Sequence, residues 1–234
     1  MNSLMRACMM ATMLSATNSS HAGGDPNRSL FDADFDSEPL DQQIATGGST
    51  LGEPVEITNG LSAIVRGAPR PSPSLELSQT MQGAARSVRF EFLNDEEVTH
   101  GDVVIRLTLR AEAFDYYNVY VRERTDAAQS FLSMHLYPDG NIYVYDEAGY
   151  AGIVGSYTIG ADHVFILKYH MDLGTYDVQM DALPLITGRS HGVIGRGVGA
   201  LLVGVGDIAA LTSLLYVDRI HVTRGDEVFL DGFE

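Results

Sequence analysis

From Ser29 onward the chain alternates apolar and polar residues in short runs separated by Gly, Pro, Asp and Asn, with no useful stretch of helical period. In GDVVIRLTLRAEA, Val103, Ile105, Leu107 and Leu109 fall on one face, and Asp102, Arg106, Thr108 and Arg110 on the other. In SVRFEFL, Val88, Phe90 and Phe92 oppose Ser87, Arg89 and Glu91. FLSMHLYPDGNIYVYD reads as a hairpin turning at Pro138, Asp139 and Gly140, and FILKYHMDLGTYDVQMD as another turning near Asp172 to Gly174. GALLVGVG and SLLYVDRIHV supply later strands, and the Pro-rich GAPRPSPS is a loop between early ones. Short strands at this spacing predict an all-β sandwich or barrel.

Two stretches carry acids that need an account. In FDADFDSE, Phe31, Ala33 and Phe35 alternate with Asp32, Asp34 and Asp36, which predicts a half-buried strand with its carboxylates in water. On a sheet edge those acids would also discourage pairing with another chain. In LLYVDRIHV, Asp218 shares its parity with Leu214, Tyr216, Ile220 and Val222, so a regular strand would turn it towards the core. An unpaired buried carboxylate is costly, so this residue calls for a β-bulge or for partners: backbone donors, Arg219 or a cation.

A chain of 234 residues, 45% hydrophobic, supports one substantial core, and a single domain is expected over residues 23–234 with 224–234 as a C-terminal tail. The formal net charge of −16 argues against nucleic acid and anionic membrane surfaces as partners. Lys168 is the only lysine; the other basic residues are arginines, suited to fixed planar contacts rather than to a flexible polybasic tail. The N-terminal MNSLMRACMMATMLSATNSSHA has an early arginine, a short apolar run and small residues Ser20 and Ala22 placed for cleavage, so residues 1–22 read as a signal peptide. The expected product is secreted, extracellular or periplasmic, without a membrane span, and monomeric. Cys8 lies inside the leader, so the mature chain would hold no thiol and no disulfide.

Four features together resemble the concanavalin A-like lectin and glucanase superfamily: the opening LFDADFDSE, a central RFEFL and GDVVIRLTLRA pair, the YPDGNIYVYD hairpin with FILKYHMDLGTYDVQMDALPL downstream, and the closing LLYVDRIHV. The resemblance covers nearly all of the expected mature chain. It implies a jelly-roll β-sandwich of two antiparallel sheets, one of them concave and of the kind that binds glycans.

Strand parity supplies candidate residues. If the central strands are neighbours, Arg89, Arg106, Arg110, Tyr116, Asn118, Tyr120, Arg122, His135, Tyr137, Tyr143 and Tyr145 share one outward face. Tyrosine offers a ring for the C–H face of a sugar and a hydroxyl for hydrogen bonding, while Arg and Asn read hydroxyls or carboxylates. The plainer alternative is a solvated face on which aromatic residues are favoured by packing alone. The expected function is non-catalytic binding of a polysaccharide or other glycan, with a lyase or hydrolase on the same face, or an adhesive envelope protein without a small ligand, as rivals.

The superfamily's Glu-x-Asp-x-Glu glycosidase motif is missing, and the acids of FDADFDSE sit on a terminal strand. The Arg-x-Glu-Leu-Arg and Gln-Ile-His signatures of jelly-roll alginate lyases are also missing; KYHMDLGTYDVQ only echoes the third, with altered spacing. The histidines show no zinc-ligand spacing, and GRSHGVIGRGVG lacks the context of a phosphate loop. The one metal expectation is a structural calcium held by Asp32, Asp34 and Asp218 across paired terminal strands.

Overall fold

The computed structural model describes residues 29–47, 52–92, 97–124, 130–193 and 195–225. The expected signal peptide, Cys8 and all but the first two residues of the expected tail lie outside them. In chain order the strands are β1 (Ser29–Ala33), β2 (Glu56–Ile57), β3 (Leu61–Arg66), β4 (Ser74–Gln79) and β5 (Arg86–Glu91). They continue with β6 (Asp102–Ala111), β7 (Tyr117–Arg122), β8 (Ser130–Leu136), β9 (Asn141–Asp146) and β10 (Gly149–Ser156). The last five are β11 (His163–His170), β12 (Thr175–Met180), β13 (Leu183–Ser190), β14 (Ala200–Val205) and β15 (Leu215–Arg224). There is no helix among the described residues, and so none long and apolar enough to cross a membrane.

The strands form two antiparallel sheets of a jelly-roll β-sandwich. The first runs β13-β12-β11-β6-β15-β4-β3, with β1 also paired to β15; the second runs β10-β9-β8-β7-β14-β5-β2. One edge of β15 is divided between two partners along its length. Leu215 to Val217 pair with β4, and Ile220 to Thr223 with β1, while β6 flanks the whole strand.

The core is the layer between the sheets, built from the apolar parity set. Val103, Ile105, Leu107 and Leu109 on β6 are buried, as are Val88, Phe90 and the following Phe92. Phe31 of the first sheet meets Phe90 of the second edge-on, with ring centroids 5.4 Å apart. Phe31, Ala33 and Phe35 are buried and Asp34 and Asp36 exposed, as the alternation predicts, although β1 ends at Ala33. Both expected hairpins form. Tyr137 N donates to Asn141 O (3.0 Å) and Gly140 N to Tyr137 O (3.0 Å), and the second turn falls between His170 and Thr175.

Two expectations are corrected. RFEFL and GDVVIRLTLRA do not pair: β5 lies between β14 and β2, whereas β6 lies between β11 and β15 in the other sheet. Both alternate alike because each turns one face to the same core. The calcium set is not assembled either. A bulge between Val217 and Arg219 makes Asp218 the extra residue opposite Leu109 and Thr108, so Leu215 and Val217 face the core before it and Ile220 and Val222 after it. The Asp218 carboxylate is held by Arg70 (2.9 Å) and accepts from Ser72 Oγ (2.8 Å). Arg70, its side chain 4% exposed, also pairs with Asp162. Asp32 pairs with Arg219 (3.5 Å), and Asp34 accepts from the amide of Asp36 (3.1 Å). Among the described residues no three His, Cys, Asp or Glu side chains gather as a metal site.

Candidate functional site

The outer face of the second sheet gathers the tyrosines. Strands β7 to β10 form an up-and-down meander whose register sets Asn118 opposite His135, and His135 opposite Tyr143. One row along, Tyr120 faces Ser133, Ser133 faces Tyr145, and Tyr145 faces Tyr150 across the tight turn at Glu147 and Ala148. Tyr116 and Tyr137 flank the strand ends and are fixed by buried partners. The Asp115 carboxylate accepts from the amides of Tyr116 (2.7 Å) and Ala210 (2.9 Å) and from Ser213 Oγ. Tyr157 Oη donates to Tyr137 O (2.9 Å).

Seven rings result, in contact from β7 to β10. Tyr116 lies 4.7 Å from Tyr137 and 5.5 Å from His135, and Tyr137 lies 4.7 Å from Tyr143. His135 meets Tyr120 at 5.7 Å and Tyr145 at 5.5 Å, both edge-on. Tyr150 closes the row at 4.9 Å from Tyr145 and stacks near-parallel to Tyr143 at 6.4 Å. Exposure rises towards β10: His135 is 9% exposed, Tyr145 38% and Tyr150 53%. Tyr143 is steadied by donating to Asp139 Oδ2 (2.7 Å), a bond that, with those from Asn141, holds the Asp139 carboxyl below the usual carboxylate range.

The buried end is polar and electrically quiet. His135 Nδ1 lies 2.7 Å from Asn118 Oδ1 and 3.1 Å from Tyr116 Oη, so one nitrogen ties both neighbours. Burial pushes the His135 pKa down to about 4, leaving the imidazole neutral at neutral pH. Burial also raises the Tyr116 and Tyr120 phenols, reinforced by neighbouring phenols and Asp207, so neither is poised to ionise near neutrality. Tyr116 keeps its place because Gly206 lies beneath it. A Cβ built at Gly206 would sit 2.6 Å from Tyr116 Cε1 and closer still to Cδ1 and Cγ.

Beside the ring row, a cleft of about 190 Å³ opens over β14. Tyr120, Asn118 and Arg122 of β7 form one wall, Ser87, Arg86 and Ala85 the other, and Leu202 lies between them. Gly204, placed between Asn118 and Ser87, adds no side chain to fill it; a Cβ there would lie 2.6 Å from Ser87 Cα. Arg122 rests over the Tyr120 ring, with Cζ 4.7 Å from the centroid, and Nε donates to Ser130 Oγ (3.1 Å). Asn118 is 1% exposed and its Nδ2 has no hydrogen-bond partner.

Of the sequence candidates, Tyr116, Asn118, Tyr120, Arg122, His135, Tyr137, Tyr143 and Tyr145 therefore come together. Arg89 is on the same sheet, paired with Glu91 (2.8 Å). Arg106 and Arg110 are not part of the site. Both are on β6 of the opposite sheet, Arg106 between Ile166 and His221, and Arg110 paired with Glu112. Two residues escaped the sequence reading. Tyr150 was legible from the hairpin that puts it across from Tyr145, but the glycines of GYAGIVGS and two register shifts mask the alternation of β10. Arg86 has the parity of a core residue, and no sequence signal shows its guanidinium turning back to Asn59 O (2.9 Å) and Ala84 O (2.6 Å).

No family model and no curated protein matches this sequence. Solved structures do match the fold. A sialidase aligns with 73% of this chain at 10% identity and a TM-score of 0.57. A carbohydrate esterase from the Shiga toxin-encoding bacteriophage phi24B aligns with 86% at 12% identity and a TM-score of 0.54. The receptor-binding domain of a botulinum neurotoxin C/D mosaic aligns with 85% at 9% identity and a TM-score of 0.55. The chain spans 17% of the sialidase, 48% of the neurotoxin domain and 100% of the esterase chain. Likeness at these identities establishes a β-sandwich fold, broader than the concanavalin A-like membership suggested by the motifs.

Proposed function

We propose that the outer face of the second sheet binds a glycan without transforming it. The observation that carries this reading is the continuous row of seven rings on four adjacent strands, solvent-exposed at β9 and β10 and ending in a polar cleft at β14. Exposed tyrosines supply stacking surface with little conformational freedom to lose, and their hydroxyls suit the mixed surface of a sugar. From β9 to β14 is three strand spacings, about 14 Å, so a ligand reaching both rings and cleft is an oligomer lying across the strands. Two of the three fold neighbours described are named for carbohydrate chemistry, which agrees with the reading.

The absence of transformation is argued from charge. A lyase needs a base whose pKa lies near the operating pH, whereas the phenols here are raised and burial leaves the His135 imidazole, at about 4, a weak base with its Nδ1 engaged. Most glycosidases use two carboxyls flanking the bond, and none lines the cleft. The glycosidases that instead use a tyrosine nucleophile need that phenol activated, whereas burial raises Tyr116 and Tyr120. Export through the N-terminal leader is part of the proposal, since polysaccharide is met outside the cytoplasm; N-terminal sequencing of the secreted product tests it.

The binding claim is tested on a glycan and polysaccharide array with the wild-type chain and the Tyr145→Ala/Tyr150→Ala double variant. Each lost stacking contact is worth about 1 kcal/mol, so binding should weaken about tenfold or more. No bound glycan, or equal binding by both proteins, would refute the proposal; unsaturated products or new reducing ends would replace it with the enzymatic reading.

A further inference from the structure

We infer that the cleft over β14 recognises the carboxylate of an acidic sugar, so that the glycan bound on this face is a polyuronate or another sugar-acid polymer. The inference rests on the glycan reading above and adds the charge of the ligand to it.

The lining is the first reason. In a chain of net charge −16, the cleft presents two guanidiniums, an amide, a serine and a phenol, and no carboxylate. Most arginines described elsewhere are committed to acids: Arg66 to Asp41 and Glu76, Arg70 to Asp162 and Asp218, Arg189 to Asp146, and Arg196 to Glu123. Arg122 has no acid partner among the described residues. Among the described residues only its Nε is engaged, by Ser130 Oγ, while its plane is held against Tyr120, and the terminal guanidinium nitrogens are offered to a ligand.

The second reason is the shape of what is free. Arg86 commits Nε to Asn59 O and Nη1 to Ala84 O and Gln79 Oε1, so each edge of its buried guanidinium has a nitrogen already engaged and it contributes charge rather than an open binding edge. One uncommitted edge matches a single planar carboxylate, the group a guanidinium reads in bidentate fashion. The third reason is Asn118, whose buried Nδ2 at the cleft lacks an acceptor. Such a donor is costly to leave unpaired, and a ligand oxygen bound beside it would supply the missing acceptor.

The surrounding charges agree. The Arg122 pKa is lowered by burial and by the like charge of Arg89, with Tyr120 opposing, a strain that a bound anion relieves. Asp207, the acid that helps raise the Tyr120 phenol, is not in the lining.

The experiment compares a uronate oligomer with the same oligomer after its carboxyls are reduced to alcohols, by isothermal titration of the full chain at two salt concentrations. The uronate should bind about tenfold to a hundredfold more tightly, with an advantage that shrinks in high salt. Arg122→Gln should remove that advantage, while Tyr145→Ala should weaken both oligomers alike. Equal binding of the two oligomers by the wild-type chain overturns the inference and leaves the glycan reading standing. Binding of neither, here and across the wider array, overturns both. The ligand comparison uses only the wild-type chain, so it decides the matter even if the arginine variant misfolds.

Discussion

Gly206→Ala is the sharpest structural test of the ring row. The alanine Cβ would lie 2.6 Å from Tyr116 Cε1 and closer still to Cγ and Cδ1, against about 3.5–4.0 Å for a normal carbon contact, so the ring must withdraw by about 1.5 Å or more. Withdrawal disturbs the ring contacts at 4.7 Å with Tyr137 and 5.5 Å with His135, each worth about 1 kcal/mol, and the 3.1 Å bond to His135 Nδ1, worth about 1 kcal/mol more. The restricted unfolded chain returns about 0.4–1 kcal/mol, so the net loss should be about 2 kcal/mol, a fall in melting temperature of roughly 4–8 °C. Urea denaturation of the single variant, of Tyr116→Ala and of the double variant closes a double-mutant cycle. With Tyr116 already truncated, the alanine at 206 should cost almost nothing. A single-variant loss below about 0.5 kcal/mol, or the same loss in both backgrounds, would refute the placement of Tyr116 over Gly206.

Other expectations follow from the same geometry. His135 titrates at about 6.5 when unfolded and at about 4 when folded, so between these values the unfolded chain binds more protons. Its contribution to stability is full above pH 6.5 and falls as pH drops towards 4, by about 3 kcal/mol at most; His135→Gln should lessen the difference between urea midpoints at pH 7 and pH 4.5. Arg70→Met strands the carboxylates of Asp218 and Asp162, and since these are 22% and 41% exposed the loss should be about 2 kcal/mol, below that of a fully buried pair. Unchanged urea midpoints for that variant would show that the bulge at Asp218 needs no cation.

Much of the fold is written in the period-two alternation, because burying one face of each strand fixes the parity of every side chain on it. The same rule explains where the reading stops. Parity separates inside from outside but not one sheet from the other, so Arg106 and Arg110 carry the same sequence signal as Tyr120 and Arg122 and emerge on opposite surfaces of the sandwich. Asp218 shows the second limit. A bulge resets parity with one extra residue, and the acid that seems to point inwards is the mark of that reset rather than of a metal. Tyr150 shows a third, since Gly149, Gly152 and Gly155 break the alternation of the strand that completes the ring row. Arg86 was out of reach because its role depends on a long side chain bending back to Asn59, Ala84 and Gln79, brought together only by tertiary structure.

The central claim is that one face of the sandwich, and not the other, meets a glycan. Chemical-shift mapping of the labelled full chain, titrated with the glycan that binds best on the array, addresses it directly. The account predicts shifts concentrated on Asn118, Tyr120, Arg122, Tyr143, Tyr145 and Tyr150, with Arg106 and Arg110 unmoved. Shifts centred on β6, β11 and β15, or spread evenly over both faces, would contradict it.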